Sequence, residues 1–492
     1  MTKKQNSIVK MVTGTVLAAT MAFSMALPTL AADYSSGDSS DNPAKAAITK
    51  IFKMPIDTPT PAAQFVFTFD KVGMDDPLDD STTAKNGMPA IADVTIDFAA
   101  NVDPAGGGVL GETFISSDGA TKSIAKESTN FLAGMIGDSY WANGEGIYRY
   151  QVYENMTPST GSDITFALPP AVPPAEGADY SVAKYDVEIW VEKDTNNILY
   201  PKFVVVRIVA GSEDEYYEGT PGGEKVDPTP GGVNPGNPPS IEDTFSQFIF
   251  TNKYWRTDGG GTTDPDKFAL EIIKKVTGSG SAPDLLTKYF DFTVMVTQPG
   301  VIPTTGIYPA AQIYKAYIMD KNGNIVTDTS GDYKNGTISG TDANGDYFLF
   351  TSDIPKNIKL RNDERLVFVD LHIGSKVEAE EIPTVHYAPS YKRTFGPGIT
   401  SSITEVSFAG SSADASDTVA FGFPRDPEDN GPHYTKKGDK QNIATFTNTR
   451  KGATPTGISV DNLPFLVLIG AAIASLVGFV VIKSRKNAKY YA

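Results

Sequence analysis

Tyr148-Arg149-Tyr150-Gln151-Val152-Tyr153-Glu154 decides the fold. Successive side chains of an extended strand point to opposite faces, so Tyr148, Tyr150, Val152 and Glu154 share one face. An apolar face opposite a polar one at period two marks a half-buried strand rather than a helix. The same alternation runs through Gln64-Phe65-Val66-Phe67-Thr68-Phe69, Tyr185-Asp186-Val187-Glu188-Ile189-Trp190-Val191 and Leu366-Val367-Phe368-Val369-Asp370-Leu371. Asn322-Gly323 and Asn344-Gly345 are hairpin-turn signals. Amphipathic helical periodicity is nearly absent, and the chain reads as all-β. Asp320, Asn322 and Asn324, like Asp342, Asn344 and Asp346, lack the twelve-residue loop and terminal Glu of a calcium site and read as turn residues. No metal site and no cofactor is expected.

The two ends carry a different signal. Lys3, Lys4 and Lys10 flank an apolar run from about Met11 to Leu30, and Thr29-Leu30-Ala31 offers small residues before a cut near Ala31 or Ala32. Residues 1–32 therefore read as a secretory signal peptide, the other reading being an uncleaved N-terminal anchor. At the far end, 453–492 holds Thr454-Pro455-Thr456-Gly457, an apolar stretch over 463–482, then Lys483, Arg485, Lys486 and Lys489. About twenty nearly charge-free residues span about 30 Å as a helix, one bilayer core, and the basic tail stays cytoplasmic. This end resembles a Gram-positive cell-wall sorting signal; the alternative is an ordinary single-pass anchor. Pro455 and Thr456 are adjacent, where the common motif has a residue between them. That shortened form resembles the signal of some streptococcal pilins, read by a dedicated sortase.

The 492-residue chain carries a formal net charge of −17, and no cysteine, so an exported product has no disulfide framework. Removing 1–32 and 457–492 takes away a net three positive charges each, leaving about −23 on the mature span. An acidic chain with no basic stripe is a poor nucleic-acid binder. Between the ends two halves share one order of landmarks: a Lys-bearing strand, a Phe-x-Phe strand, and a closing Phe-Thr-Asn. The expected division is a first domain over 33–257, with a Gly/Pro-rich loop at 219–239, and a second over 265–450. The loop has linker composition, but Phe248-Ile249-Phe250-Thr251-Asn252-Lys253-Tyr254 is a strand that the first domain needs as its last.

Strand parity turns this repeat into chemistry. Ile48, Lys50, Phe52 and Met54 share a face, as do Phe248, Phe250, Asn252 and Tyr254. In the second half Phe268, Leu270, Ile272, Lys274 and Val276 align, as do Phe446 and Asn448. Leu371, Ile373, Val377, Ala379 and Glu381 also align, leaving Glu378 and Glu380 outward. Each half thus places one Lys, one Glu and one Asn on apolar faces. Unpaired buried charge costs several kcal/mol, so such residues need partners. They could be a buried ion pair with an Asn partner, or strand ends reaching solvent; their recurrence in the same order speaks for more.

Ile48-Thr49-Lys50 before a Phe-rich strand, Tyr-x-Val-x-Glu in mid-domain and Phe-Thr-Asn at the end resemble the isopeptide-forming domains of the streptococcal major (backbone) pilin. The resemblance covers nearly the whole mature chain. It implies two tandem immunoglobulin-like β-sandwiches of the collagen-adhesin B type. It also implies a lysine–asparagine bond in each: Lys50 to Asn252 assisted by Glu154, and Lys274 to Asn448 assisted by Glu381. Glu381 is chosen from three neighbouring acids by parity and spacing alone. In such a site an uncharged Lys amine attacks the Asn carbonyl carbon, while a protonated Glu hydrogen-bonds the developing oxyanion and relays a proton to departing ammonia.

Three function classes follow. The leading one is a backbone pilin, with a dedicated sortase cleaving after Thr456 and joining it to a lysine of another copy. Ancillary pilins and cell-wall peptidoglycan would be further partners. The second is an ancillary pilin or a wall-anchored adhesin attached singly and binding a host ligand. The third, a surface enzyme, has little support: His372, His386 and His433 are the only histidines, and none sits in a catalytic or metal-spaced motif. Two acceptor lysines stand out. Lys202 ends Tyr200-Pro201-Lys202, which resembles the acceptor motif of other backbone pilins, although its interval from Trp190 is longer. A solvated lysine on a hairpin edge is the competing reading. Lys225 lies in the Gly/Pro-rich loop, near where the streptococcal relative uses its lysine.

Overall fold

The computed structural model describes residues 34–450 apart from 57, 76, 101–110, 117–120, 156–175, 232–243, 260–267, 279–286, 303–310, 328–333, 383, 385–386, 395–403, 408–417 and 423–441. The signal-peptide segment 1–32 and the sorting segment 453–492, with its apolar stretch 463–482, lie outside the described residues. Among the described residues no helix is long and apolar enough to cross a membrane. The chain is mostly β. Among the described residues one short helix, Thr82–Gly87, and one 3-10 turn, Glu215–Tyr217, interrupt the strands.

Two sheets make up the first half. One runs in the order Ser35–Ser36, Leu199–Ile208, Lys184–Lys193, Gly146–Glu154, Ala63–Met74 and Val94–Phe98, with Lys225–Val226 also paired to Leu199–Ile208. The other places Ile249–Gly259 beside Thr49–Pro55, followed by Thr121–Glu127 and Glu112–Ile115. Their facing sides bury Phe52, Phe65, Phe67, Tyr148, Tyr150, Val152, Tyr185 and Phe250 in one core. Period-two burial is plain in Gly146–Glu154, where every second residue is buried through to Glu154. Thr49–Pro55 is covered on both faces, because Ile51 packs under Phe245, Ile249 and Ala125. The described part of the Gly/Pro-rich loop folds back on this half: Gly231 and Ser246 both donate backbone N–H groups to the Glu127 carboxylate.

The second half repeats the plan. An eight-stranded sheet contains Ile313–Met319, Arg365–Phe368, Leu270–Thr277 and Asn442–Arg450 as consecutive neighbours. A four-stranded sheet runs Lys356–Leu360, Phe290–Thr297, Lys376–Glu381 and Thr418–Gly422. Phe290, Phe292, Val294, Phe350, Phe368, Val377 and Phe446 fill the core between them. Asp320 accepts the N–H groups of Asn322 and Asn324, the side-chain-to-backbone pattern of a turn.

One strand of the first half pairs directly with the second. Ile249–Gly259 leaves its own sheet and pairs antiparallel with Asp370–His372, matching Thr257 to His372. This explains why Leu366 to Leu371 is not the single strand its alternation suggests: Arg365–Phe368 stays in the second half's sheet and Asp370–His372 turns to the junction. Trp255 is fully buried there against Val301 and Ile302. Gly374 has φ +85°, and a Cβ on it would come within 2.9 Å of Pro55, so glycine is required twice over. Truncating so enclosed an indole leaves a cavity worth about 3–5 kcal/mol. Trp255→Ala is expected to lower the first urea-unfolding midpoint of residues 33–456; an unchanged midpoint would contradict the packing at this joint.

Candidate functional site

Parallel pairing of an early strand and a closing strand builds each site. Thr49–Pro55 runs parallel to Ile249–Gly259 with Lys50 opposite Phe250, so Asn252 lies two residues further along the same face. Leu270–Thr277 runs parallel to Asn442–Arg450 with Lys274 opposite Phe446, and Asn448 again lies two residues further on. A two-residue step keeps both side chains on the core-facing side. The glutamate comes from the facing sheet each time: Glu154 ends Gly146–Glu154, and Glu381 ends Lys376–Glu381. Among the three acids of the second half, parity leaves Glu378 and Glu380 partly exposed and turns Glu381 inward.

In the first site Lys50 Nζ donates to Glu154 Oε2 at 3.0 Å and also to Asn252 Oδ1. Asn252 Nδ2 donates to Glu154 Oε1 at 2.8 Å and to the main-chain oxygen of Asp179 at 2.8 Å. In the second, Lys274 Nζ lies 2.9 Å from both Glu381 oxygens, and Asn448 Nδ2 donates to Glu381 Oε1 at 2.5 Å. Each ammonium group faces an aromatic ring: Lys50 Nζ is 4.3 Å from the Phe65 centroid and Lys274 Nζ is 4.4 Å from that of Phe290. All six residues are buried.

Burial dominates the electrostatics. Loss of water pulls the Lys50 amine down despite the opposing pull of Glu154, and pushes the Glu154 carboxyl up despite Lys50 and Asn252. Lys274 is lowered to about 8 and Glu381 is raised, again by burial against the partner's charge. Both directions favour a neutral amine beside a neutral acid. The glutamate in each site sits on the two nitrogens, the expected nucleophile and leaving group, rather than on the amide oxygen. The proton relay expected from the sequence fits this placement; the oxyanion contact does not appear in it.

The two acceptor candidates lie on the first half's sheet. Lys202 sits at a bulge between Pro201 and Phe203, about a third exposed, its Nζ 2.5 Å from Glu192 Oε2. That hydrogen bond holds its amine above the usual lysine value. Lys225 is half-buried in Lys225–Val226, opposite Arg207. The motif Thr454, Pro455, Thr456 and Gly457 lies outside the described residues. His372 contacts Tyr314 at the junction, and His386 and His433 are not among the described residues.

No family model matches the chain, and no curated protein matches it by sequence. Solved structures do. The chain is similar to the major pilin from Streptococcus pyogenes, at 13% identity over 82% of this chain and 99% of that one, TM-score 0.26. The major pilin protein (T3.2) from Streptococcus pyogenes serotype GAS13637 matches at 16% identity over 83% and 98%, TM-score 0.24. A pilus-presented adhesin matches at 12% over 55% of this chain and 36% of its own, TM-score 0.20. The likeness is distant and one of fold alone.

The geometry generates a pH expectation. The reactive state of each Lys/Glu pair holds one proton between the two groups. A second proton, added in acid, blocks the amine; loss of the last, in alkali, removes the proton needed by the departing nitrogen. The rate of ammonia loss should therefore be bell-shaped, with the second site's alkaline limb near the lowered Lys274 value of about 8. A rate that climbs steadily to high pH would contradict the relay.

Proposed function

We propose that the protein is the backbone subunit of a covalently polymerised cell-surface pilus. Its two halves would be immunoglobulin-like sandwiches of the collagen-adhesin B type, over 33–257 and 265–450, each closed by its own Lys–Asn bond. The observation that carries this reading is the duplicated geometry. Lysine and asparagine lie on adjacent parallel strands at the same two-residue offset, with a glutamate from the facing sheet touching both nitrogens. An ion pair kept for packing alone has no need of an asparagine amide beside the amine.

The reaction is self-contained. Lys50 Nζ attacks Asn252 Cγ, a C–N bond forms, and the Cγ–Nδ2 bond breaks. One proton passes from Lys50 through Glu154 to the departing nitrogen, which leaves as ammonia. Lys274, Glu381 and Asn448 do the same in the second half. Holding the groups in contact supplies much of the acceleration. Each site acts once, as maturation rather than turnover catalysis.

Assembly uses the ends. The signal peptide exports the chain, and the apolar tail holds it with Thr456–Gly457 outside the membrane. A pilus-dedicated sortase cleaves there and passes the Thr456 carbonyl to a lysine of the next copy, Lys202 or Lys225. Ancillary pilins and peptidoglycan terminate the polymer.

Intact recombinant residues 33–456 should weigh two ammonia molecules less than their sequence, and Glu154→Ala should restore one of them. The full unmodified mass in the wild type would sink the ligation reading. In native wall extracts a ladder surviving boiling detergent should collapse to monomer in Thr456→Ala, and Lys202→Ala and Lys225→Ala should separate the acceptors. A single wall-linked band in the wild type would favour the singly anchored adhesin instead.

A further inference from the structure

The two sites share three residues but not their surroundings. In the first, the segment Asp179-Tyr180-Ser181 lies across the site with its main chain. The Asp179 carbonyl accepts from Asn252 Nδ2 at 2.8 Å, and the Ser181 backbone N–H donates to Glu154. The segment is tied down on both sides. Asp179 N–H donates to Lys253 O at 3.0 Å, while the Asp179 carboxylate accepts the Lys253 N–H, a two-way clamp on the residue after Asn252. Ser181 Oγ donates to Asp214 Oδ2 at 3.2 Å, and Asp214 in turn accepts the Thr251 N–H at 2.6 Å and the Thr251 hydroxyl at 2.7 Å. Asn252 is thus flanked by two residues that hold the same segment.

The second site has no such support among the described residues. Glu381 carries the only hydrogen bond found for Asn448 Nδ2, and Asn448 Oδ1 is buried without a partner. Among the described residues the Glu381 side chain bonds Lys274 and Asn448. An amide held by one nitrogen contact can rotate about its Cβ–Cγ bond. One held by Glu154 and Asp179 together has its plane fixed, with Oδ1 toward the amine.

We propose that Asp179–Ser181 is a main-chain brace for the first site, that Asp179 is its positioning residue, and that the Lys50–Asn252 bond forms ahead of Lys274–Asn448. This rests on the ligation reading given above. The brace adds no group to the balance of the reaction. The Asp179 carbonyl holds one hydrogen of the leaving nitrogen and Glu154 the other, so the nitrogen keeps its place as its bond to Cγ breaks and the relayed proton arrives. A displacement of about 1 Å at a reacting centre costs up to about a hundredfold in rate.

The test follows both bonds in time. Residues 33–456 are made by cell-free synthesis, quenched at intervals, and each Lys–Asn junction is quantified by peptide mass mapping. In the wild type the first bond should lead the second. Asp179→Ala should slow the first bond about ten- to a hundredfold and leave the second unchanged. Asp179→Asn keeps an oxygen acceptor for the Lys253 N–H and should recover most of the rate, which a general loss of stability would not do. Ser181→Ala, which keeps the backbone N–H and removes only the tie to Asp214, is the milder variant should Asp179→Ala fail to fold. Wild-type rates in both variants, equal slowing of the two bonds, or a second bond that leads in the wild type would each overturn the brace while leaving ligation standing. Absence of any ammonia loss in the wild type would overturn both.

Discussion

A lysine enclosed by phenylalanine is the constraint on which each half depends. Moving an ammonium and a carboxylate from water into such a core costs several kcal/mol per ion, and their attraction seldom repays it. Burial therefore drives the Lys50 amine down and the Glu154 carboxyl up, and the same holds for Lys274 and Glu381. A pair driven toward neutrality is a weak salt bridge, but it is a nucleophile beside a proton donor. The proposed ligation would remove the problem that created it: the amine would become an amide nitrogen, the acid would stay protonated, and no charge would be left in the core.

The topology decides what such a bond would hold. In each half lysine and asparagine belong to an early and a closing strand, which lie side by side and parallel. The closed loop spans roughly 170 to 200 residues. By the loop-closure relation for disulfides that removes about 5 kcal/mol of unfolded-state entropy. A chain without cysteine cannot do so with a disulfide. The constraint also explains why the glutamate must come from the facing sheet. Lysine and asparagine side chains on neighbouring strands both point into the core, and a residue reaching across it from the facing sheet touches both nitrogens.

Much of this was legible because strands have period two. Parity alone puts Lys50 inward and separates Glu381 from Glu378 and Glu380, and burial alternates along Lys376–Glu381; along Thr49–Pro55 the outward face is covered too, and only Lys53 stays partly exposed. What parity cannot see is the main chain. The brace over the first site uses a carbonyl and an N–H, groups that every residue carries, and the segment 179–181 has no periodicity to mark it. The sharp turn of the chain after Phe368 was equally hidden, since Leu366 to Leu371 alternates without a break. It depends on a partner strand more than a hundred residues earlier. Trp255 gave no sign of its role either: a tryptophan in a strand is ordinary, and only Val301 and Ile302 from the other half make it an anchor.

The junction has a mechanical meaning once both sites are considered together. The strand that carries Asn252 is the one that runs on to pair with Asp370–His372, and the next described strand carries Lys274. With both bonds formed, tension along the chain would pass from Asn448 across to Lys274, through the junction, and from Asn252 across to Lys50. The chain between each lysine and its asparagine would lie off that path, so the ladders it forms within each half would be spared most of the shear. The load would fall on the short connection between the sites, and this is where Trp255, the antiparallel ladder to Asp370–His372 and the close approach of Gly374 to Pro55 and Pro299 are concentrated. Packing is thus placed where covalent bonds would leave the chain uncovered.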